Sequence, residues 1–298
     1  MVDLNNIGNV LSLFDGISCG QIALNNAGIA YNHYIASEIE KNAIKVTQSN
    51  YPNTIQMGDV IKVKGEQLPV IDLLLGGSPC TGFSFSGKGL NFDDPRSALF
   101  FEFVRLMKET NPKYFLLENV KMKQEWEDKI TEYMGVEPVF INSSLVCAQS
   151  RPRVYWTNIP IVGLPEDRNI SISSIVGDGL FCGAVRGRKL DPITRKRNDK
   201  DKDSPYFQYA ECRRDNKSNC LTTVLKDNII TDKWVERTLA SECTYRYLTS
   251  AEHELLQTLP VGYTANCGVG DTMRNKLIGN AWTVDIITWI LKFIPNGN

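Results

Sequence analysis

The stretch Gly76-Gly77-Ser78-Pro79-Cys80-Thr81-Gly82-Phe83-Ser84 delivers a cysteine from the end of an apolar strand onto a proline turn. Just before it, Ile71-Asp72-Leu73-Leu74-Leu75 is too short for a helix and is closed by two glycines, so it reads as a buried strand. Pro79 fixes its own φ and pushes Ser78 toward extended backbone, which leaves Cys80 little freedom of direction. Open α/β sheets bind ligands at the carboxyl ends of their strands. A free cysteine is more often a small buried hydrophobe than a nucleophile, so Cys80 needs support from the rest of the chain.

On both sides of this stretch, up to about residue 160, short apolar runs alternate with amphipathic segments, the pattern of a parallel sheet covered by helices. It predicts strands at 10–14, 34–37, 71–75, 114–117, 139–142 and 154–157, and helices near 20–26, 41–49, 96–109 and 124–134. Asp94 and Pro95 suit the cap and first turn of the third helix, whose apolar face carries Leu99, Phe103, Leu106 and Met107. Beyond Pro160 the pattern breaks into Gly-, Asp- and Ser-rich turns, as in an irregular, mostly β module. Periodicity returns at Thr249-Ser250-Ala251-Glu252, a capping-box spacing. A helix over 284–294, apolar nearly all round, is expected to pack back on the first domain. The division predicted is 1–160 with 265–298 for the sheet-and-helix domain, and 161–264 for the inserted module and its return segment.

A chain of 298 residues that is 42% hydrophobic and 22% charged has the composition of a soluble globular protein. It has no run long enough to cross a membrane and no signal-peptide pattern, which predicts a cytoplasmic location. Its eight cysteines contain no Cys-x-x-Cys pair. The only histidines, His33 and His253, are expected beside helices and remote from Cys80, which argues against both a metal site and a cysteine hydrolase. The net charge of −1 hides a basic stretch: residues 186–217 hold eleven Lys and Arg against six Asp and Glu, which suits phosphate contact or a solvated loop.

The first strand runs through Leu13-Phe14-Asp15-Gly16-Ile17-Ser18-Cys19-Gly20 straight into a helix, a turn whose glycines let a ligand approach the backbone. Glu38, just past the second strand, is placed to accept hydrogen bonds from a ribose diol. Because the turn lacks Gly-x-Gly-x-x-Gly, a nucleoside-bearing ligand fits better than a pyrophosphate. In Tyr114-Phe115-Leu116-Leu117-Glu118-Asn119-Val120, Glu118 takes the same strand-end position as Cys80, and the two should line one crevice. A carboxyl there can donate a proton or merely cap the next helix. Gln149-Ser150-Arg151-Pro152-Arg153 sets two guanidinium groups on one face of an extended chain, able to bind a carbonyl or phosphate oxygen and to lower a nearby thiol pKa.

In order and spacing, Phe14-Asp15-Gly16, Pro79-Cys80, Glu118-Asn119-Val120, Gln149-Ser150-Arg151-Pro152-Arg153, Arg246-Tyr247-Leu248-Thr249-Ser250-Ala251-Glu252 and Gly279-Asn280-Ala281-Trp282-Thr283-Val284 resemble the motifs of the cytosine-5 DNA methyltransferases. Six blocks in one order are far more specific than any one of them. The resemblance implies a Rossmann-like α/β methyltransferase sheet with an inserted small, mostly β target-recognition domain. It implies S-adenosyl-L-methionine as cofactor, with S-adenosyl-L-homocysteine as product. Phe14, Asp15 and Gly16 would meet the methionine part, Glu38 the ribose and Asp59 the adenine amino group. Ile17, Ile39, Val60, Leu99 and Val284 would supply apolar walls, and Gly20, Gly76, Pro79, Asn280 and Trp282 fall in the same site. Cys80 matches the nucleophile, Glu118 the group at the cytosine N3 and amino edge, and Arg153 the group at the O2 side. Arg151 would either support Glu118 or make direct contact.

The same resemblance implies duplex DNA as partner, a flipped target base, and residues 82–95, with Ser84 and Lys88, as a loop closing over it. Arg186, Arg188, Arg195, Lys196, Arg197, Arg213 and Arg214 are the candidate DNA contacts of the basic stretch. Ser18 and Cys19 replace glycines common in bacterial members, and Thr81 stands where Gln is frequent, so the motif wording is nearer the animal de novo DNA methyltransferases. The compact chain suggests a bacterial or phage enzyme, with a cognate restriction endonuclease as a candidate partner. The tRNA branch of the family is a rival, although its Cys-Phe-Thr signature is missing. A catalytically silent DNA-binding protein is another, against which stand Cys80, Glu118 and both arginines.

Overall fold

The computed structural model describes residues 5–78, 98–189, 194 and 206–295. Pro79, Cys80, Ser84, Lys88, Asp94, Pro95, Arg195, Lys196 and Arg197 lie outside the described residues. Seven strands form the main sheet: β1 Asn9–Leu13, β2 His33–Ser37, β3 Ile55–Gln56, β4 Leu73–Gly76, β5 Tyr114–Val120, β6 Val139–Asn142 and β7 Pro152–Thr157, in the order β3-β2-β1-β4-β5-β7-β6. The chain lays strands outward on one side of β1 and then crosses to β4 on the other. This makes the β1/β4 boundary the switch point at which such sheets open a ligand crevice.

β1 to β5 pair in parallel, as the alternating sequence pattern predicts, but β7 runs antiparallel to both β5 and β6. Between β6 and β7 there is only a short 3-10 turn at Ser143–Leu145, and a parallel return would need a crossover of a dozen residues or more.

Successive residues of the central strands point to opposite faces, and the two cores follow that period of two. On one face Val10, Leu73, Leu75, Tyr114, Leu116 and Tyr155 pack with helices α1 Cys19–Ala27 and α8 Val284–Leu291. On the other, Leu11, Leu13, Leu74, Phe115, Leu117 and Trp156 pack with α3 Ala98–Thr110 and α4 Gln124–Met134. α2 Lys41–Asn50 follows β2. The nearly all-apolar α8 has the burial its sequence demands, six of its eight residues being buried.

Residues 181–247 build a second, antiparallel sheet: β8 Phe181–Lys189, β9 Tyr206–Cys212, β10 Ile229–Thr231, β11 Thr238–Leu239 and β12 Arg246–Tyr247, in the order β11-β9-β8-β10-β12. Among the described residues, one of its faces has Val185, Ala210 and Ile229 as its buried cluster. Cys182 and Ile230 instead join the first core, together with Leu221 and Leu248. A short α5, Ser173–Val176, precedes it. After it come α6 Ser250–Leu256, opened by the Thr249/Glu252 capping box, and α7 Asp271–Asn280.

The histidines are not where the sequence places them. His33 opens strand β2, and His253 lies inside α6 with Nδ1 2.9 Å from the Thr249 carbonyl.

Candidate active site

Register brings four strand ends to one level. Leu13 lies opposite both Ser37 and Gly76, and Gly76 lies opposite Leu117. Phe14, Glu38, Gly77 and Glu118 are therefore the next residues along four neighbouring strands.

Glu118 is buried at the edge of this row, its Oε1 in an ion pair 2.8 Å from Arg153 Nε. Burial, the largest single influence, works against the Arg153 charge, but Glu118, Cys220 and Tyr155 together more than offset it, so the guanidinium is held above its usual pKa. A Cβ on Gly77 would come within 2.8 Å of Trp282 Nε1 and 3.2 Å of Glu118 Oε2, so a glycine is needed for the strand end to pass between them. Asn119 Nδ2 donates to Ser78 Oγ at 3.0 Å, fixing the chain just before it leads to Pro79 and Cys80.

Arg151 is not on Glu118. Its guanidinium is buried and donates to the carbonyls of Leu221 (3.2 Å), Gly279 (3.2 Å) and Ala281 (2.9 Å). Burial, and after it the Arg153 charge, hold its pKa below the usual arginine value. It ties β7 to the turn bearing Asn280 and to residues 220–221. Cys220 Sγ lies 3.4 Å from Arg151 Nη1 and 3.6 Å from Arg153 Nη2.

On the other side of β4, the turn after β1 is left-handed at Phe14, Gly16 and Ser18, with φ of 58°, 58° and 63°. Two non-glycine residues in that region mark stored strain of the kind found at ligand sites. Glu38 holds the turn: its Oε2 accepts from Gly16 N–H at 2.8 Å, and its Oε1 from Ile39 and Glu40 N–H at 2.7 and 2.8 Å. Asp15 Oδ1 accepts from the Tyr34 hydroxyl at 2.9 Å, while Oδ2 is buried with no hydrogen-bond partner. Burial pushes the Asp15 carboxyl up to about 6.

Asp59 Oδ1 caps the next turn through Ile61 N–H at 3.1 Å. Ile39 is 72% exposed beside Glu38, an open apolar surface. Ile17, Val60 and Val284 are instead packed into the two cores, with Leu99 at the margin of one of them, and Gly20 and Gly76 are buried at the start of α1 and the end of β4. Asn280 is exposed at the end of α7.

The described arginines of the basic stretch are paired with acids. Arg188 makes two hydrogen bonds to Glu211 (2.8 and 2.6 Å), Arg213 pairs with Asp215, Arg214 with Glu236, and Arg186 lies 3.8 Å from Asp227. Of these, Arg214 is the most exposed.

The sequence pattern gives no role to Gln257. Fully buried, it donates to the Ile278 and Ala281 carbonyls at 2.9 and 3.0 Å, and its Oε1 accepts from Gln149 Nε2 (3.1 Å) and the Thr283 hydroxyl (2.9 Å). Its partners lie 21 to 108 residues away, so no local pattern announces it. Among the described residues there is no group of three His, Cys, Asp or Glu able to hold a metal, and no helix long and apolar enough to cross a membrane.

An acid–base pair and a row of strand ends beside a strained glycine turn can hold a nucleoside on one side of β4 and a planar polar ring on the other. Residues 8–134 match the family model of the C-5 cytosine-specific DNA methylases. Over that span the chain is similar to this family. A methylase of Bacillus phage SPR, the orphan methyltransferase M.SPRI, is 45% identical over 114 residues, which cover 38% of this chain and 26% of the phage protein. The type II methyltransferase M.NlaIV of Neisseria lactamica is 39% identical over 115 residues, 37% of this chain and 27% of its own. The chain thus aligns with about a quarter of the length of these curated relatives. The fold likeness extends further. The structure of the Entamoeba histolytica methyltransferase EhMeth superposes with a TM-score of 0.70 at 15% identity, covering 96% of this chain and 97% of that one.

Proposed function

We propose that the chain transfers a methyl group from S-adenosyl-L-methionine to carbon 5 of cytosine in duplex DNA at a short recognition site, by base flipping and a covalent Cys80 adduct at cytosine C6. The register that sets Phe14, Glu38, Gly77 and Glu118 side by side carries this reading. It sets the strained glycine turn and an acid–guanidinium pair on either side of the strand that leads to Cys80, an arrangement that supports binding of a nucleoside beside a planar base.

The residues fit the cofactor. Glu38 Oε2 holds one amide and keeps a lone pair for a ribose hydroxyl, and a Cβ on Gly16 would meet nothing within 4 Å, so space is open above the turn. Phe14, Glu38, Asp59 and Asn280 would hold it, with Ile39 against an apolar part. When bound, it supplies the electrophilic methyl group that C5 receives.

The chain's own residues do the rest. The Cys80 thiolate adds to C6, breaking the C5–C6 double bond and making C5 nucleophilic. Glu118 hydrogen-bonds N3 and Arg153 the O2 side, so the charge that develops on the ring meets groups already in place. After methyl transfer a base removes the C5 proton, the double bond re-forms and Cys80 leaves. None of this can reach C6 in a stacked duplex, so the base is extruded, which costs a few kcal/mol, on the order of 3. Residues 1–160 with 265–298 act as the catalytic domain and 161–264 as the target-recognition domain. A cognate restriction endonuclease is the candidate protein partner.

Bisulfite sequencing of DNA from a methylation-free host expressing this chain tests the reaction and returns the site. The expected result is protected cytosines in one short sequence. Uniform conversion, with methylation of tRNA instead, would assign the chain to RNA.

A further inference from the structure

We infer that Gln257 is a positioning residue that, with Arg151, fixes the 278–282 turn against the reaction crevice and so sets the affinity for the cofactor; this rests on the function proposed above. Three of the four carbonyls at 278–281 are held by buried side chains. Gln257 takes Ile278 and Ala281, and Arg151 takes Gly279 and shares Ala281. The backbone adds one more tie, as Val284 N–H donates to the Gln257 carbonyl at 3.0 Å. The end of α7 leaves carbonyls without an intrahelical partner, and because Ile278, Gly279 and Ala281 are buried, side chains rather than water satisfy them.

What the clamp fixes is the position of two groups. Asn280 stands exposed at the end of α7, and the Trp282 indole borders the space beside Gly77 that Glu118 Oε2 also borders. Trp282 O in turn lies 3.8 Å from Cys19 Sγ, the first residue of α1, so the turn also abuts the helix that follows the glycine turn. A shift of the turn would therefore move the wall shared by the cofactor side and the Glu118 side. On its other flank Gln257 is held by Gln149 and Thr283, and Thr283 also accepts from Ser143 at 2.8 Å, so the amide cannot rotate without breaking four bonds.

Gln257→Met keeps the length of the side chain and removes both donors. Thr283→Val removes one hydrogen bond to Oε1 but leaves both carbonyls held. Titration with S-adenosyl-L-homocysteine by calorimetry should show Gln257→Met weaker by roughly tenfold or more, the size usual for residues that orient a ligand-bearing group. Thr283→Val should stay within about threefold of wild type, duplex DNA affinity should be unchanged in both, and the fluorescence change assigned to Trp282 by a Trp282→Phe control should be abolished only in Gln257→Met. Equal cofactor affinity in Gln257→Met and wild type would overturn the inference, as would parallel loss of DNA and cofactor binding. Failure of wild type itself to bind S-adenosyl-L-homocysteine would instead sink the proposed function. If Gln257→Met does not fold, hydrogen exchange on wild type decides. The ligand should slow exchange at 278–284 and in α6 together, and slowing at 278–284 alone would contradict the clamp.

Discussion

At the C-terminal edge of the seven-stranded sheet, beside the Glu118–Arg153 pair, two charged side chains are fixed by backbone groups: Glu38 by three amides and Arg151 by three carbonyls. On the five-stranded sheet, Arg188, Arg213 and Arg214 are each fixed by an acidic side chain. The difference is one of net charge. A carboxylate held by amides keeps its charge for a ligand, whereas a guanidinium held by a carboxylate is neutralised, and a phosphate must displace its partner to reach it. The first edge is prepared in advance for chemistry. The second, in its described part, is built for cohesion, and the phosphate contacts expected of Arg195, Lys196, Arg197 and the lysines at 200 and 202 lie outside that part.

The largest effect is expected at Glu118. Glu118→Gln keeps the shape beside Gly77 but removes the counter-charge of Arg153 and the acid–base group proposed at N3, and single-turnover methyl transfer should fall by about two orders of magnitude or more. Near-normal turnover would mean that the charged pair at this edge is as passive as the pairs on the second sheet.

Removing a backbone-held charge should harm stability, while removing a paired one on the surface should not. Arg151→Met strands the buried Leu221 and Gly279 carbonyls and leaves Ala281 to Gln257 alone, and should lower stability by on the order of 3 kcal/mol in urea unfolding. Arg214→Met, whose partner is an exposed Glu236, should change it by less than about 0.5 kcal/mol. Equal effects would erase the distinction.

Asp15 gives the comparison a pH dependence. Its carboxyl is raised from 3.8 to about 6 in the folded state by burial, so folding is favoured when it is protonated. That contribution is complete below pH 3.8 and disappears as pH rises through about 6. The resulting drop in stability should be on the order of 2 to 3 kcal/mol. Thermal unfolding of Asp15→Asn should show a flatter pH profile than wild type across this window, and an unchanged profile would mean that Asp15 is not the titrating group.

The smallest effect is on salt dependence. Neutralising Lys196, Lys200 and Lys202 should reduce the slope of log affinity against log salt by about 0.9 for each phosphate that these lysines neutralise, whereas Arg188→Met, already bound to Glu211, should leave it as it is. A larger change from Arg188 would show that DNA exchanges the Glu211 pair for phosphate.

Much of the first region is legible in the sequence because short apolar runs carry their own period. The strand at 139–142 and the helix at 124–134 form over the predicted residues, and the strand predicted at 10–14 forms one residue earlier, at 9–13. The two-residue β3 escapes prediction because it offers too few residues for any period, and the reversal of β7 because strand direction depends on the length of the connection rather than on the strand. The charge count over 186–217 predicts a basic surface. The acids that neutralise Arg188 and Arg214 lie 23 and 22 residues along the chain, and Glu236 falls outside the counted window. The seat of Glu118 is readable from its strand. The seat of Arg151 is not, since its partners lie 70 and more residues away, at Leu221 and around the end of α7.

Covalent trapping tests the central claim most directly. Duplex DNA bearing 5-fluorocytosine at the methylated position, incubated with S-adenosyl-L-methionine, should give a denaturation-resistant complex with wild-type protein. None should form with Cys80→Ala, although that variant should bind DNA and cofactor normally. A covalent complex of equal yield with Cys80→Ala would show that the strand end beside Glu118 does not deliver the nucleophile.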